Sequence, residues 1–176
     1  MIETPNLYPM NLLVTLDRNY VPQLNVMLFS ALQSDPAAFF DVYILHDEGL
    51  SASDLTATRA LLGQRGTLRL IHVDESGLTD APTSDRYPKA IYYRIFAAKY
   101  LPHTLDRVLY LDPDLVVQKL FTLHRFNGDG MTLDDVRQRS AVIHYCGRNK
   151  PWKPGYVGEL DVFYNEIVSQ MEKDLP

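Results

Sequence analysis

The stretch RVLYLDPDLVV, residues 107–117, is an apolar strand pattern that runs straight into two aspartates, Asp112 and Asp114, held apart by Pro113. A buried ionised carboxylate is costly unless hydrogen bonds, a cation or the strand's end compensates it. Pro113 cannot donate to a ladder, which favours a strand end or edge over mid-sheet. The residues before this stretch show which kind of sheet it joins. NLLVTL (11–16) predicts a short strand, and YVPQLNVMLFSALQ (20–33) sets Leu24, Met27, Leu28, Ala31 and Leu32 at helical spacing until Asp35-Pro36 stops it. DVYILH (41–46) predicts a second strand, followed by a helix within LSASDLTATRALLGQRG (50–66), capped by Ser51 or Ser53 and closed by Gly63 or Gly66. TLRLIHV (67–73) predicts a third strand, and YPKAIYYRIFAAKYL (87–101) a helix ended by Pro102. RVLYLD (107–112) is then the fourth strand. Repeated β-α alternation of this kind predicts an α/β fold with a mostly parallel sheet and helices on both faces.

The second half breaks the rhythm. FTLHRFNGDGMTLDDVRQRS is polar, with one short helix near 132–139; AVIHY (141–145) is a further strand, CGRNKPWKPGY a loop, and VGELDVFYNEIVSQMEK (157–173) a closing amphipathic helix. At 176 residues, 46% apolar and 22% charged, the chain reads as one globular domain, residues 1–176. A net charge of −5 without a Lys/Arg run argues against a nucleic-acid partner. No apolar run approaches the roughly 20 residues of a membrane span, and the N-terminus lacks a basic segment followed by an apolar one, so the expectation is a soluble, cytoplasmic protein without a transmembrane segment. Cys146, the single cysteine, excludes an intrachain disulfide and a multi-cysteine zinc site.

In an open parallel sheet, ligands bind outside the carboxyl ends of the strands. Asp112 and Asp114 stand there, and on extended chain they point to one side about 6.6 Å apart, able to converge on a single Mg²⁺ or Mn²⁺. A pair of solvated turn aspartates is the alternative. In IHYCGRNKPWKPGY (143–156), His144 could supply an imidazole that moves the preference toward Mn²⁺, Gly147 close backbone approach, and Lys150 a charge beside an anion. Taken singly, the histidine reads as a core residue and the lysine as a surface charge, with Trp152 a packing anchor and Cys146 a small buried residue. TLDRNY (15–20) is no glycine-rich fingerprint. Asp17 and Asn19 could bond a base or ribose and Tyr20 could stack on a base, while on this stretch alone Asp17 reads better as a helix N-cap. Arg94 could pair with a phosphate or an aspartate, or stand on the surface.

Together VTLDRNY, VLYLDPDLVV and IHYCGRNKPW resemble glycosyltransferase family 8, the retaining sugar-nucleotide transferases that include bacterial lipopolysaccharide galactosyl- and glucosyltransferases. The resemblance implies a nucleotide-diphospho-sugar transferase (Rossmann-like) fold and an Asp-x-Asp motif holding Mn²⁺, or Mg²⁺, against the diphosphate of UDP-glucose or UDP-galactose, with a saccharide acceptor. It implies Asp112, Asp114 and His144 as metal ligands, Gly147 and Lys150 at the diphosphate, Thr15, Asp17, Asn19 and Tyr20 at the uridine, and Arg94 at the donor and Asp112.

Family members carry a long section between the Asp-x-Asp strand and the late histidine motif, with an Asn-Ser/Ala-Gly segment beside the donor and an Asp-Gln pair near the transferred sugar. Here only residues 115–143 intervene and neither segment is recognisable, as if on the order of a hundred residues, a small domain's worth, were missing at a junction near 121–133. The resemblance then implies a shortened chain that keeps the nucleotide half of the site, transfers sugar poorly, and self-associates into a homo-oligomer through uncovered sheet edges. Two other readings stay open: a non-catalytic UDP- and metal-binding or assembly module, and a haloacid-dehalogenase-like phosphatase with Asp112 as nucleophile.

Overall fold

A computed structural model describes residues 9–84, 88–118, 132–140, 142–145 and 149–175. The chain forms two compact units, one of residues 1–21 and 37–113, the other of residues 22–36 and 114–176. In the first, β1 (Met10–Thr15), β2 (Phe40–His46), β3 (Gly66–His72) and β4 (Leu109–Tyr110) make one parallel sheet of order β3-β2-β1-β4. In chain order, α1 (Val21–Ser34) connects β1 to β2, and α2 (Thr56–Leu62), behind a 3-10 turn at Ala52–Leu55, connects β2 to β3. β1 pairs with β2 from Met10↔Phe40 to Thr15↔Leu45, and β4 takes the other side of β1 through Leu12↔Leu109 and Leu13↔Tyr110. The strand order therefore reverses at β1. Such a reversal opens a crevice at the carboxyl ends of β1 and β4, where open α/β sheets bind ligands.

The central strands explain why their sequences do not alternate. Leu12, Val14, Val42 and Ile44 are fully buried, while Leu13, Tyr43 and Leu45 pack with Val73, Leu78, Ala90 and Tyr93 in a second cluster. Strands buried on both faces read as continuous apolar runs. β3, at the edge, is more polar: the Thr67 hydroxyl donates to Asp41, and the Arg69 guanidinium lies 5.8 Å from the centre of the Tyr43 ring. Gly63 closes α2 at φ +52°, a region that favours glycine. Gly66 has a different reason, since a Cβ there would stand 2.7 Å from the Phe40 carbonyl oxygen.

In the first unit two predicted elements come out shorter. The helix predicted over 87–101 divides into α3 (Ala90–Tyr93), a 3-10 turn at Arg94–Phe96 and α4 (Ala97–Tyr100). Arg94 supplies a cause: its Nε donates to the Ile91 carbonyl at 2.9 Å, an acceptor that a continuous α-helix would give to the Ile95 amide. The fourth strand keeps only two residues. Asn11 Nδ2 donates to the Arg107 carbonyl at 3.2 Å, so a side chain stands in for the ladder before it, while the Leu111 amide still reaches the Leu13 carbonyl after it.

In the second unit β5 (Leu115–Val117) and β6 (Val142–His144) run antiparallel, Leu115 opposite His144 and Val117 opposite Val142. They pack with α1, α5 (Leu133–Arg139) and α6 (Asp161–Asp174) around Val26, Val116, Ile143, Tyr145, Phe163 and Tyr164. Ser30 on α1 fastens β5: its Oγ accepts from the Val117 amide at 2.9 Å and donates to the Met27 carbonyl at 2.7 Å. Thr132 and Asp135 form a capping box that starts α5 within the helix predicted near 132–139. The closing helix begins at Asp161, four residues later than predicted. Trp152 is a packing anchor, 5.2 Å from the Tyr164 ring and 6.5 Å from the Tyr145 ring. Most of the junction expected at 121–133, together with Cys146 and Gly147, lies outside the described residues.

Candidate functional site

Thr15 is the last residue of β1 and Tyr110 the last of β4; the register sets Tyr110 opposite Leu13, two residues short of Thr15, and both stand at the carboxyl ends of their strands, at the crevice made by the strand reversal. Their hydroxyls are 3.3 Å apart. The Tyr110 hydroxyl also donates to Asp112 Oδ1, and Arg94 Nη1 lies 3.5 Å from that same oxygen. The Arg94 guanidinium stacks 4.8 Å from the centre of the Tyr110 ring, while its Nε is held on the Ile91 carbonyl. Burial, and then the bond to Asp112, push the Tyr110 phenol well above its ordinary range, so it remains a protonated donor at neutral pH.

Asp17, Asn19 and Tyr20 follow directly after β1, in and before the 3-10 turn at Arg18–Tyr20. Asp17 is the N-cap of that turn, its Oδ1 accepting from the Asn19 amide at 2.8 Å. Arg18 reaches back to Asp54 Oδ1 at 2.7 Å. The capping role open to Asp17 in the sequence is thus realised.

The second unit carries its own polar cluster. Asp114 stands just before β5 and His144 ends β6, and the Tyr145 amide donates to the Asp114 carbonyl at 3.2 Å, extending the ladder by one bond. His144 Nε2 lies 3.2 Å from Asp114 Oδ1. Lys150 Nζ donates to Asp114 Oδ2 and, at 2.6 Å, to the Tyr145 carbonyl, and lies 5.5 Å from the centre of the Trp152 ring. Only 7% of Lys150 is exposed, so it is no surface charge. Burial pushes the Asp114 carboxyl up, but the His144 and Lys150 bonds outweigh it and hold the group below the ordinary carboxylate range. Asp114 is therefore ionised at neutral pH, with Lys150 as its counter-ion.

Pro113 alone separates Asp112 from Asp114, and chain geometry keeps their Cα atoms within about 7 Å of each other. Two carboxylates and an imidazole are ligand types suited to a divalent cation on the hard-to-borderline side, such as Mn²⁺ or Mg²⁺; Asp114 and His144 stand together in the second unit, and Asp112 lies near the end of the first. Tyr110 is the site residue that the sequence reading passes over as part of an apolar strand. Its signal was spacing: residues i and i+2 on extended chain point to one side, which brings the phenol to Asp112.

Comparison with known proteins bears on the whole arrangement. The model of the family described as Glycosyl transferase family 8 matches residues 11–126, a span that includes Thr15, Arg94, Asp112 and Asp114. Lipopolysaccharide 1,2-glucosyltransferase of Escherichia coli (strain K12) is 30% identical over 109 residues, which are 61% of this chain and 32% of that protein. The crystal structure of galactosyltransferase LgtC in complex with donor and acceptor sugar analogs is 28% identical, with a TM-score of 0.56 over 62% of this chain and 40% of LgtC. An active-site mutant of LgtC, at 18% identity, shares the fold with a TM-score of 0.72 over 92% of this chain and 96% of the other. The chain spans about a third of the length of the curated glucosyltransferase it matches.

Proposed function

The chain belongs to glycosyl transferase family 8, and on that premise we propose that it binds a UDP-hexose, UDP-glucose or UDP-galactose, with a divalent cation, as the donor side of a retaining hexosyltransferase. The acceptor is a saccharide of the lipopolysaccharide kind, and the reaction is cytoplasmic. Among the described residues no helix is long and apolar enough to cross a membrane. The observation that carries this reading is the strand reversal at β1, which sets Thr15, Tyr110 and Asp112 at a crevice suited to a nucleotide.

Each residue has a role in this proposal. Thr15, Asp17, Asn19 and Tyr20 meet the uridine. Asp112, Asp114 and His144 hold the cation, for which the imidazole favours Mn²⁺ over Mg²⁺. Arg94, Gly147 and Lys150 face the diphosphate, where Lys150 adds its charge to a site otherwise crowded with negative groups. When bound, the cation supplies the Lewis-acid charge that lets phosphates approach aspartates and stabilises the departing UDP. The groups beside the anomeric carbon belong to the section that is not recognisable between residues 115 and 143, so donor binding outlasts efficient transfer. The chain is then a single nucleotide-sugar-binding domain with an internal junction near 121–133.

Thermal unfolding of the purified chain with UDP-glucose or UDP-galactose and Mn²⁺ tests the reading. A stabilisation by sugar nucleotide that EDTA removes, without multiple-turnover transfer to a saccharide, is the expected outcome. Robust multiple-turnover transfer would contradict the half-site. Absence of any stabilisation by either sugar nucleotide would favour an assembly module without a ligand.

A further inference from the structure

We propose that Tyr110 is a positioning residue for the metal site: its hydroxyl fixes the Asp112 carboxylate and ties it to Thr15 at the end of the neighbouring strand. The inference rests on the reading of Asp112 as a metal ligand. β4 is two residues long, and beyond it the Leu111 amide bond to Leu13 is the last tie between that strand and the sheet before Asp112. A carboxylate two residues past so short a strand needs another restraint if it is to meet a cation in one orientation, and ordering a metal ligand is the work of the partners that bond it.

The direction of the bonds follows from proton count. A phenol has one proton, and an ionised carboxylate only accepts. Tyr110 gives its proton to Asp112 Oδ1, so across the 3.3 Å contact the Thr15 hydroxyl is the donor and Tyr110 the acceptor. The relay runs Thr15 to Tyr110 to Asp112, and it leaves Thr15 with acceptor capacity toward whatever meets the end of β1. Arg94 holds the relay from the side. Its Nε is fixed on Ile91, its guanidinium stacks on the Tyr110 ring, and its Nη1 approaches the oxygen that Tyr110 bonds. The phenol and the guanidinium therefore converge on one carboxylate oxygen from two elements of the same unit.

Tyr110→Phe keeps the ring and the Arg94 stack and removes only the hydroxyl. Mn²⁺ titrations of the full chain followed by electron paramagnetic resonance read the affinity, and thermal unfolding of the same samples reads stability. The expected result is Mn²⁺ binding weakened on the order of tenfold, against near-complete loss in Asp112→Asn, in samples that remain folded. A purely structural role for the hydroxyl would lower the unfolding midpoint and leave the Mn²⁺ affinity of the folded protein unchanged, and that result overturns the proposal. If Asp112→Asn binds Mn²⁺ like the parent chain, the metal reading itself fails, and the proposal with it. Thr15→Val, which deletes the upstream donor alone, serves if Tyr110→Phe does not fold; a smaller loss in the same direction supports the relay, and an unchanged affinity overturns it.

Discussion

Lys150 and Asp114 form a buried ion pair, the ammonium resting on Oδ2 of the carboxylate with 9% and 12% of the two side chains exposed. The second unit thus carries a cation of its own for an aspartate that an apolar strand would otherwise leave uncompensated, and His144 takes the other oxygen. Removing one member of a buried pair leaves the other charge stranded and costs more than the pair contributes. Lys150→Met should therefore destabilise the chain by about 3 kcal/mol, near the lower limit for such pairs because His144 remains. Urea unfolding checks this, and a midpoint equal to that of the parent chain would show that the pair carries no structural weight.

Gly66 opens β3 against β2, with the Phe40 carbonyl oxygen 2.7 Å and Leu62 Cδ2 2.9 Å from where a Cβ would sit. Leu62 can turn aside, but the backbone carbonyl cannot. Gly66→Ala should cost roughly 1–3 kcal/mol through a local shift of the strand pairing. Gly77, with open space around its Cβ position, is the control in which alanine is tolerated.

Arg137 on α5 grips Glu166 on α6 with two bonds of 2.8 Å and lies 5.0 Å from the centre of the Phe163 ring. Those bonds hold the Glu166 carboxyl below its ordinary value against a smaller opposing effect of burial. A depressed carboxylate contributes stability above its unfolded pKa, about 4.3, and loses it as the pH falls through the folded value. The stability gap between the parent chain and Arg137→Gln should hold steady above about pH 5 and narrow in more acidic solution, with a small plateau because the pair is largely exposed. Thermal unfolding across pH would count against the pair if the gap widened on acidification.

β4 ends the order of the four-stranded sheet, and Val108 and Leu109 are 36% and 42% exposed. Among the described residues no strand pairs with the other side of β4, and an apolar sheet edge invites a second strand. Sedimentation velocity should show self-association that grows with protein concentration and weakens in Leu109→Lys. A monomer independent of concentration would sink this expectation.

Much of the fold was legible in the sequence because its central strands, around Leu12–Val14 and Val42–Leu45, are buried on both faces and so read as unbroken apolar runs. The crevice was legible because Asp112 follows the fourth predicted strand, where an apolar run gives way to the carboxylates. The break at Arg94 was not legible, because it turns on one guanidinium nitrogen capturing a helix carbonyl rather than on any breaker residue. Nor was the antiparallel pairing of β5 with β6, or the burial of Lys150, whose partner Asp114 lies 36 residues earlier in the chain. Tyr110 was hidden by its company: in an apolar strand a tyrosine reads as packing, and only its spacing from Asp112 marks it.

The central claim is that Asp112, Asp114 and His144 hold a divalent cation that joins UDP to this chain. Calorimetric titration of UDP into the purified chain, with Mn²⁺ and with EDTA, for the parent and for Asp114→Asn, tests it most directly. The account predicts UDP binding that requires Mn²⁺ and disappears in Asp114→Asn. UDP binding of equal strength in EDTA, or Mn²⁺-dependent binding that survives Asp114→Asn, would contradict it.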